Sequence, residues 1–250
     1  MGFKFGGQVI LNDLILNLDA SNKVSYPGGG SIWFDISGYG NHFNLNGSPA
    51  YDGNSLRFNY SGGNQYAIAN NTTIGDFGTG SFTIEYVGNF PSTNSNFGAV
   101  ARTRDRVSFG TGGTNAGWSL GIVNQSQFQD NGTITNPTNI FGQSGDTPIK
   151  DTITHQLYTI QRSGTNNDTV TATLYKTGSF VRTINFTIGS TRGGGGDGLI
   201  TNPGTMQIMI NQSGFSQPTG SLYLFRLYNR VLDQSEITQN YNLARIKYGF

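Results

Sequence analysis

Fourteen acidic residues are the first place to look for catalysis in this 250-residue chain, and only two of them, Glu85 and Glu236, are glutamates. Hydrolysis of a glycosidic bond calls for two carboxylates flanking the scissile bond, about 5–5.5 Å apart for retention or about 6.5–9.5 Å for inversion. Glu85 stands in Thr-Ile-Glu-Tyr-Val-Gly-Asn with no second acid beside it, and Glu236 has the spacing of a helix-capping residue. The aspartates are scattered singly, with no pair at i, i+2, so a dyad would have to be assembled from distant positions. His42 lies in a glycine-rich turn and His155 in an apolar run. Neither has a G-x-S-x-G or H-x-x-x-H context, and both read as hydrogen-bonded structural histidines. The chain is expected not to be an enzyme.

Two glycine runs, 28–30 and 193–196, could suggest a phosphate cradle. Neither opens a helix or is followed by Lys-Ser/Thr, so they read as flexible rim loops. Arg102, Arg104 and Arg106 alternate and would share one side of an extended segment. They could make an anionic contact with a partner or a charged glycan, or protect a sheet edge against aggregation. Phe3, Phe5, Tyr248 and Phe250 put aromatic bulk at the two chain ends, where side chains stay exposed unless a neighbour covers them. With the three arginines they are the candidate partner contacts.

Composition narrows the setting. Charged residues make up 12% of the chain against roughly 25% in ordinary soluble domains. Aromatic content of 12% argues for a packed core rather than a polar disordered chain. Thirty-seven glycines, with abundant asparagine, permit frequent tight turns. The net charge of +1 gives no electrostatic case for nucleic acid or an anionic membrane. There is no cysteine, hence no disulfide or thiolate metal site. Asn12 and Asp13 split the apolar start of the chain, so no signal peptide or membrane span is expected.

The elements that must position these residues are mostly strands. Apolar runs bounded by Gly/Asn/Ser/Thr predict strands at 14–19, 55–59, 65–69, 82–90, 98–102, 106–109 and 118–123. Others follow at 153–162, 170–176, 180–188, 206–211 and 220–228. In the strand at 82–90, Phe82, Ile84 and Tyr86 alternate with Thr83 and Glu85, which predicts one buried face. A single helix is predicted over 233–243, with Asp233 as N-cap, Glu236 completing a capping box and Leu232 stapled to Ile237. No linker divides the chain. Residues 1–13 read as an N-terminal arm or first edge segment and residues 14–250 as one domain. Many antiparallel strands with one terminal helix predict an all-β, jelly-roll-like sandwich of two antiparallel sheets.

Four segments carry a family resemblance. They are Leu14-x-Leu16-x-Leu18-Asp19 with Trp33-x-Asp35-x-Ser37-Gly38-x-Gly40-Asn41, then Ser55-Leu56-Arg57-Phe58, then Leu174-Tyr175-Lys176-Thr177-Gly178, and the closing strand, Tyr228-Asn229-Arg230 and capped helix. Together they resemble laminin G-like domains of the concanavalin A-like lectin/glucanase superfamily, in the form found in bacteriophage structural proteins. The resemblance covers nearly the whole chain. It implies a non-enzymatic virion protein, an exterior capsid decoration, cement or head-fibre subunit, assembled in the host cytoplasm in contact with other virion subunits. The alternative it allows is a carbohydrate-binding module for host-surface recognition on a tail or fibre. No cofactor is implied beyond a rim calcium ion of the laminin G type, for which Asp35, Asp52, Asp76, Asp130, Asp146 and Asp197 are the loop carboxylates. Trp33 is expected to be part of the core.

Overall fold

The computed structural model describes residues 8–59, 64–93, 98–103, 117–122, 126–129, 138–141, 145–163, 169–187, 205–211 and 218–250. Its strands are β1 (Leu14–Asp19), β2 (Ile32–Trp33), β3 (Phe43–Asn46), β4 (Ala50–Tyr51), β5 (Leu56–Phe58), β6 (Tyr66–Ala69), β7 (Phe82–Asn89) and β8 (Gly98–Arg102). They continue with β9 (Gly117–Gly121), β10 (Ser126–Gln129), β11 (Thr138–Phe141), β12 (Ile153–Gln161), β13 (Thr169–Lys176), β14 (Ser179–Thr187), β15 (Gln207–Asn211) and β16 (Gly220–Tyr228). One helix, α1 (Gln234–Tyr248), follows. The expected strand at 106–109 lies outside the described residues.

The strands form two antiparallel sheets. The first runs β14–β13–β12–β7–β16–β5–β4, with β1 also paired to β16; the second runs β11–β10–β9–β8–β15–β6–β3–β2. Their inner faces make one core. Leu16, Leu18, Phe58, Phe82, Ile84, Tyr86, Phe225 and Leu227 of the first sheet meet Trp33, Phe43, Val100, Trp118, Leu120 and Ile208 of the second. Trp33 is fully buried there, as expected.

The outer face of the first sheet departs from the sequence reading. β7 is buried on both faces, not one, because α1 lies across its outer side. A bulge between Leu222 and Leu224 breaks the simple alternation of β16. Leu222, Phe225 and Leu227 therefore face the core, while Leu224 lies under the helix with Val87, Ala244 and Tyr248.

The helix starts as its sequence dictates. The Asp233 carboxylate accepts the Glu236 amide at 2.9 Å, and the Glu236 carboxylate accepts the Asp233 amide at 3.0 Å. Leu232 and Ile237 share a cluster with Leu14, Leu157 and Tyr228. The helix runs on past residue 243 to a left-handed cap at Gly249, whose amide donates to Arg245 O at 2.9 Å. Its inward residues Ile237, Asn240, Ala244 and Tyr248 follow a spacing of three and four, one stripe of an α-helix. Residues 8–10, the described start of the expected arm or first edge segment, also dock here, while residues 1–7 lie outside the described residues. Val9 and Ile10 pack on the Ile237 cluster, and the Ile10 amide donates to Asn240 Oδ1 at 3.3 Å.

Candidate functional site

The residues that sequence analysis set aside for chemistry are mostly committed to the fold. Glu85 is fully buried on the outer face of β7, beneath α1. With its carboxylate ionised, His155 Nε2 donates to Oε1 at 3.0 Å, and Arg226 Nη1 lies 3.4 Å from the same oxygen. Asn240 Nδ2 donates to Oε2 at 3.0 Å and Tyr228 Oη at 3.4 Å. Burial alone would raise the Glu85 carboxyl, but Arg226 and His155 outweigh it and hold it below the ordinary carboxylate range. The same carboxylate, acting against burial, raises the Arg226 guanidinium further. A substrate has no route to Glu85 through these partners.

The glycine turn after Trp33 is equally filled. Asp35 Oδ1 accepts the amides of Asn17 and Ser37, each at 2.9 Å, and Oδ2 accepts Ser37 Oγ at 2.7 Å and the Asn41 amide at 3.0 Å. Asn41 then donates to Ile15 O at 2.9 Å, tying the turn to β1. Gly38 and Gly40 take positive φ, as the motif requires.

Of the other loop aspartates weighed for calcium, Asp146 pairs with Arg182 at 2.6 Å and Asp76 bonds its own turn at the Gly78 amide. Asp130 and Asp197 lie outside the described residues, among which no group of three or more acidic, His or Cys side chains is placed to hold a metal.

The candidate partner contacts divide. Phe3, Phe5, Arg104 and Arg106 lie outside the described residues. Arg102 is buried, against the expectation of an outward-facing side chain. Its guanidinium bonds Gln207 Oε1 at 3.2 and 3.0 Å across the β8–β15 register. Tyr248 is also buried: it is the last inward residue of α1, and its hydroxyl donates to Asp19 at 3.0 Å. Phe250 packs beside the same cluster. Tyr248 is thus covered by its own sheet, and Phe250 is half-buried beside it, edge-on to the Tyr241 ring.

Beyond the C-terminal end of α1, the outer face of the first sheet holds a cleft of about 470 Å³ among the described residues. The sheet register builds its floor. Ala50 pairs with Arg57, Arg57 with Ser221, and Ser221 with Asn89, so β4, β5, β16 and β7 place these four residues in one row. Tyr51, Asp52 and Asp151 complete the walls. Asp151 has a left-handed backbone (φ 57), held by its amide on Phe90 O at 3.0 Å, while its carboxylate accepts the Ser92 amide at 3.1 Å. Asp52 accepts the amides of Asn54 and Ser55 at 2.9 and 2.7 Å. Burial is the largest single influence on the Asp52 carboxyl and raises it, yet these bonds and that from Ser55 Oγ together bring it below its ordinary value. The Ser92 side chain and amide lower Asp151 as well. By contrast, the side chains of Arg57, Ser221 and Asn89 make no hydrogen bond within the described protein.

No protein-family model matches the sequence, and no relative was found among curated proteins. Solved structures do match. A Trypanosoma rangeli sialidase mutant with trans-sialidase activity superposes with a TM-score of 0.60 at 16% identity, over 98% of this chain and 35% of that one. The binding domain of Paraclostridial Mosquitocidal Protein 1 gives 0.58 at 17%, over 92% and 52%. The receptor-binding domain of a botulinum neurotoxin mosaic serotype C/D gives 0.58 at 15%, over 93% and 51%. The likeness is one of fold. The chain spans between about a third and about a half of these neighbours' lengths, and shares with them a two-sheet β-sandwich.

Sequence reasoning did not assemble the cleft. Arg57 is the outward position of Ser-Leu-Arg-Phe and Ser221 lies near the start of β16, but neither carries a local signal of a site. Nothing local joins them to Asn89 and Asp151, because only the strand order does so.

Proposed function

We propose that this protein is a non-catalytic, lectin-like binding module whose ligand is a glycan seated in the cleft at Tyr51, Arg57, Asn89, Asp151 and Ser221. The observation that carries the reading is the row Arg57–Ser221–Asn89, three neighbouring polar side chains on paired strands that make no side-chain hydrogen bond among the described residues. Sugar hydroxyls both donate and accept. Asn89 and Ser221 can do the same, Arg57 donates in a planar fork, and the Asp151 carboxylate accepts. Tyr51 adds an aromatic wall for the apolar side of a sugar ring. The volume lies in the range of small-ligand sites, which combine a formed concavity with a few placed polar groups.

A glycosidase of the two-carboxylate kind would need one carboxyl held up as a general acid beside an ionised partner. The two acids of the cleft are both lowered, and Glu85 is walled in. These features support binding without turnover. Among the fold neighbours, a Trypanosoma rangeli sialidase is solved in complex with sialic acid, and the two toxin segments are a binding domain and a receptor-binding domain. These neighbours support the recognition reading over the capsid-decoration reading that sequence resemblance placed first. The proposed setting is display on a virion tail or fibre, alongside other virion subunits; that setting, like capsid decoration, rests on the sequence resemblance alone.

The test is a glycan array probed with wild-type protein and with Arg57→Ala and Asn89→Ala. Binding of a defined glycan class by wild type, lost in both variants at unchanged melting temperature, is expected. A blank wild-type array, or variants that bind as wild type does, overturns the assignment. Release of reducing sugar from a bound glycan overturns its non-catalytic part.

A further inference from the structure

We infer that the cleft is one half of a longer site, and that its ligand is an oligosaccharide of several residues bridging Tyr51 rather than a single terminal sugar. This rests on the glycan reading above. A second cavity, of about 610 Å³, opens against Tyr51 and is lined by Tyr26, the 28–30 glycine loop, Ser31, Leu45, Ser48 and Pro49. Tyr51 is the residue common to both cavities.

That shared residue is fixed like a saddle. Its hydroxyl donates to Gly53 O at 2.6 Å and accepts from Lys23 Nζ at 3.1 Å, while its ring packs edge-on to Tyr26 with centroids 5.0 Å apart. The glycine loop is pinned as well, against the expectation of a flexible rim. Tyr26 Oη donates to Gly30 O at 3.3 Å, and the Leu45 amide donates to Ser31 O at 2.7 Å, fastening the loop to β3. Gly28 sits at φ 105, where a Cβ would stand 3.4 Å from both the Tyr51 ring and Lys23 Nζ. Any larger residue there would be strained and would crowd the saddle.

The two cavities differ in chemistry. The first is walled by Arg57, Asp52 and Asp151; the second, among the described residues, is lined by no charged side chain, and its one nearby cation, Lys23 Nζ, is bonded to the Tyr51 hydroxyl at 3.1 Å. It offers backbone groups, two serine hydroxyls and the apolar surfaces of Leu45 and Pro49. A charged anchor beside a neutral, backbone-lined trough suits a chain held at one residue by its hydroxyl pattern and followed along its neutral neighbours. A monosaccharide would fill only one side of Tyr51.

The experiment uses size-fractionated oligosaccharides of one to six residues, prepared by partial acid hydrolysis of the tightest-binding glycan on the array. Affinities are measured by calorimetry. Two plugs are made: Gly29→Trp, at a position where an added Cβ meets nothing within 4 Å, and Ser31→Trp on the same exposed rim. Wild-type affinity is expected to rise about tenfold or more as the chain lengthens from one or two residues to four, a gain of about 1.4 kcal/mol. Either plug should return the long oligosaccharide to the affinity of the short one and leave the short one unchanged. Arg57→Ala should abolish both. Affinity that does not change with chain length, or folded plug variants that bind the long oligosaccharide as wild type does, overturns the two-part site. In that outcome a continuing effect of Arg57→Ala keeps the simpler glycan reading intact. Absence of any wild-type binding overturns both.

Discussion

Arg226 Nη1 faces the Glu85 carboxylate at 3.4 Å across the β7–β16 pair, with both side chains shut away from solvent between the sheet and α1. Arg226 Nε also donates to Asn17 Oδ1 at 3.1 Å, so the ion pair joins β1, β7, β16 and, through Asn240, the helix. A buried pair of this kind adds little stability over a well-packed apolar pair, yet losing one member strands the other.

Glu85→Ala is therefore expected to destabilise the domain by about 3–5 kcal/mol, because it leaves the Arg226 guanidinium buried without its counter-ion. Glu85→Ala combined with Arg226→Met should cost clearly less than the sum of the single changes. Urea denaturation of the four proteins measures this. Additive losses would mean that the two side chains do not act as a pair.

Acid should loosen this region in a defined direction. The Glu85 carboxyl is held below its ordinary value of 4.5, so its contribution is complete above that value and is lost as pH falls through the lower, folded value. Wild-type stability should drop steeply below about pH 4.5, and Glu85→Gln should lack that part of the drop. The comparison is made from denaturation midpoints between pH 7 and pH 2.5, about the range spanned by ordinary carboxyls. Parallel curves for the two proteins would assign the acid sensitivity to other carboxylates.

At the helix start, Asp233→Ala removes an acceptor for the Glu236 amide and should cost about 0.5–2 kcal/mol in a thermal or urea melt. Glu236→Ala should cost more than a cap alone, because its carboxylate also takes two bonds from Arg230, at 2.7 and 2.6 Å. Melts unchanged by either substitution would show that the capping box contributes nothing.

These features differ in how far local sequence reveals them. The bounds of β1, β8 and β16 coincide with the reading from hydrophobic runs and turn residues, and the capping box was visible in Asp233-x-x-Glu236. The two-residue strands β2 and β4 are too short to show a period. β3 hides Phe43 and Leu45 among asparagines. Glu85 and Thr83 looked like a solvent face because the pattern within β7 cannot register a helix arriving from the other end of the chain. The last turn of α1 escaped notice for a related reason: Ala244 and Tyr248 are held by Val87 and Leu224, not by local propensity. The cleft was the least legible feature. Arg57, Asn89, Asp151 and Ser221 acquire meaning only through strand order.

That strand order also governs how the chain must fold. β16, the last strand in sequence, sits in the interior of its sheet, bonded to β7 along one edge and to β5 and β1 along the other. Until it arrives, β7 and β1 each present an open ladder of amides and carbonyls, and the sheet cannot close. Pairings between such distant segments form slowly. A nascent chain halted before residue 220 would leave β7, β1 and β5 each with an unmatched edge prone to sticking to other chains. Insertion of β16 is thus the step at which a sticky precursor becomes a closed sandwich, and its timing should set the yield of soluble protein.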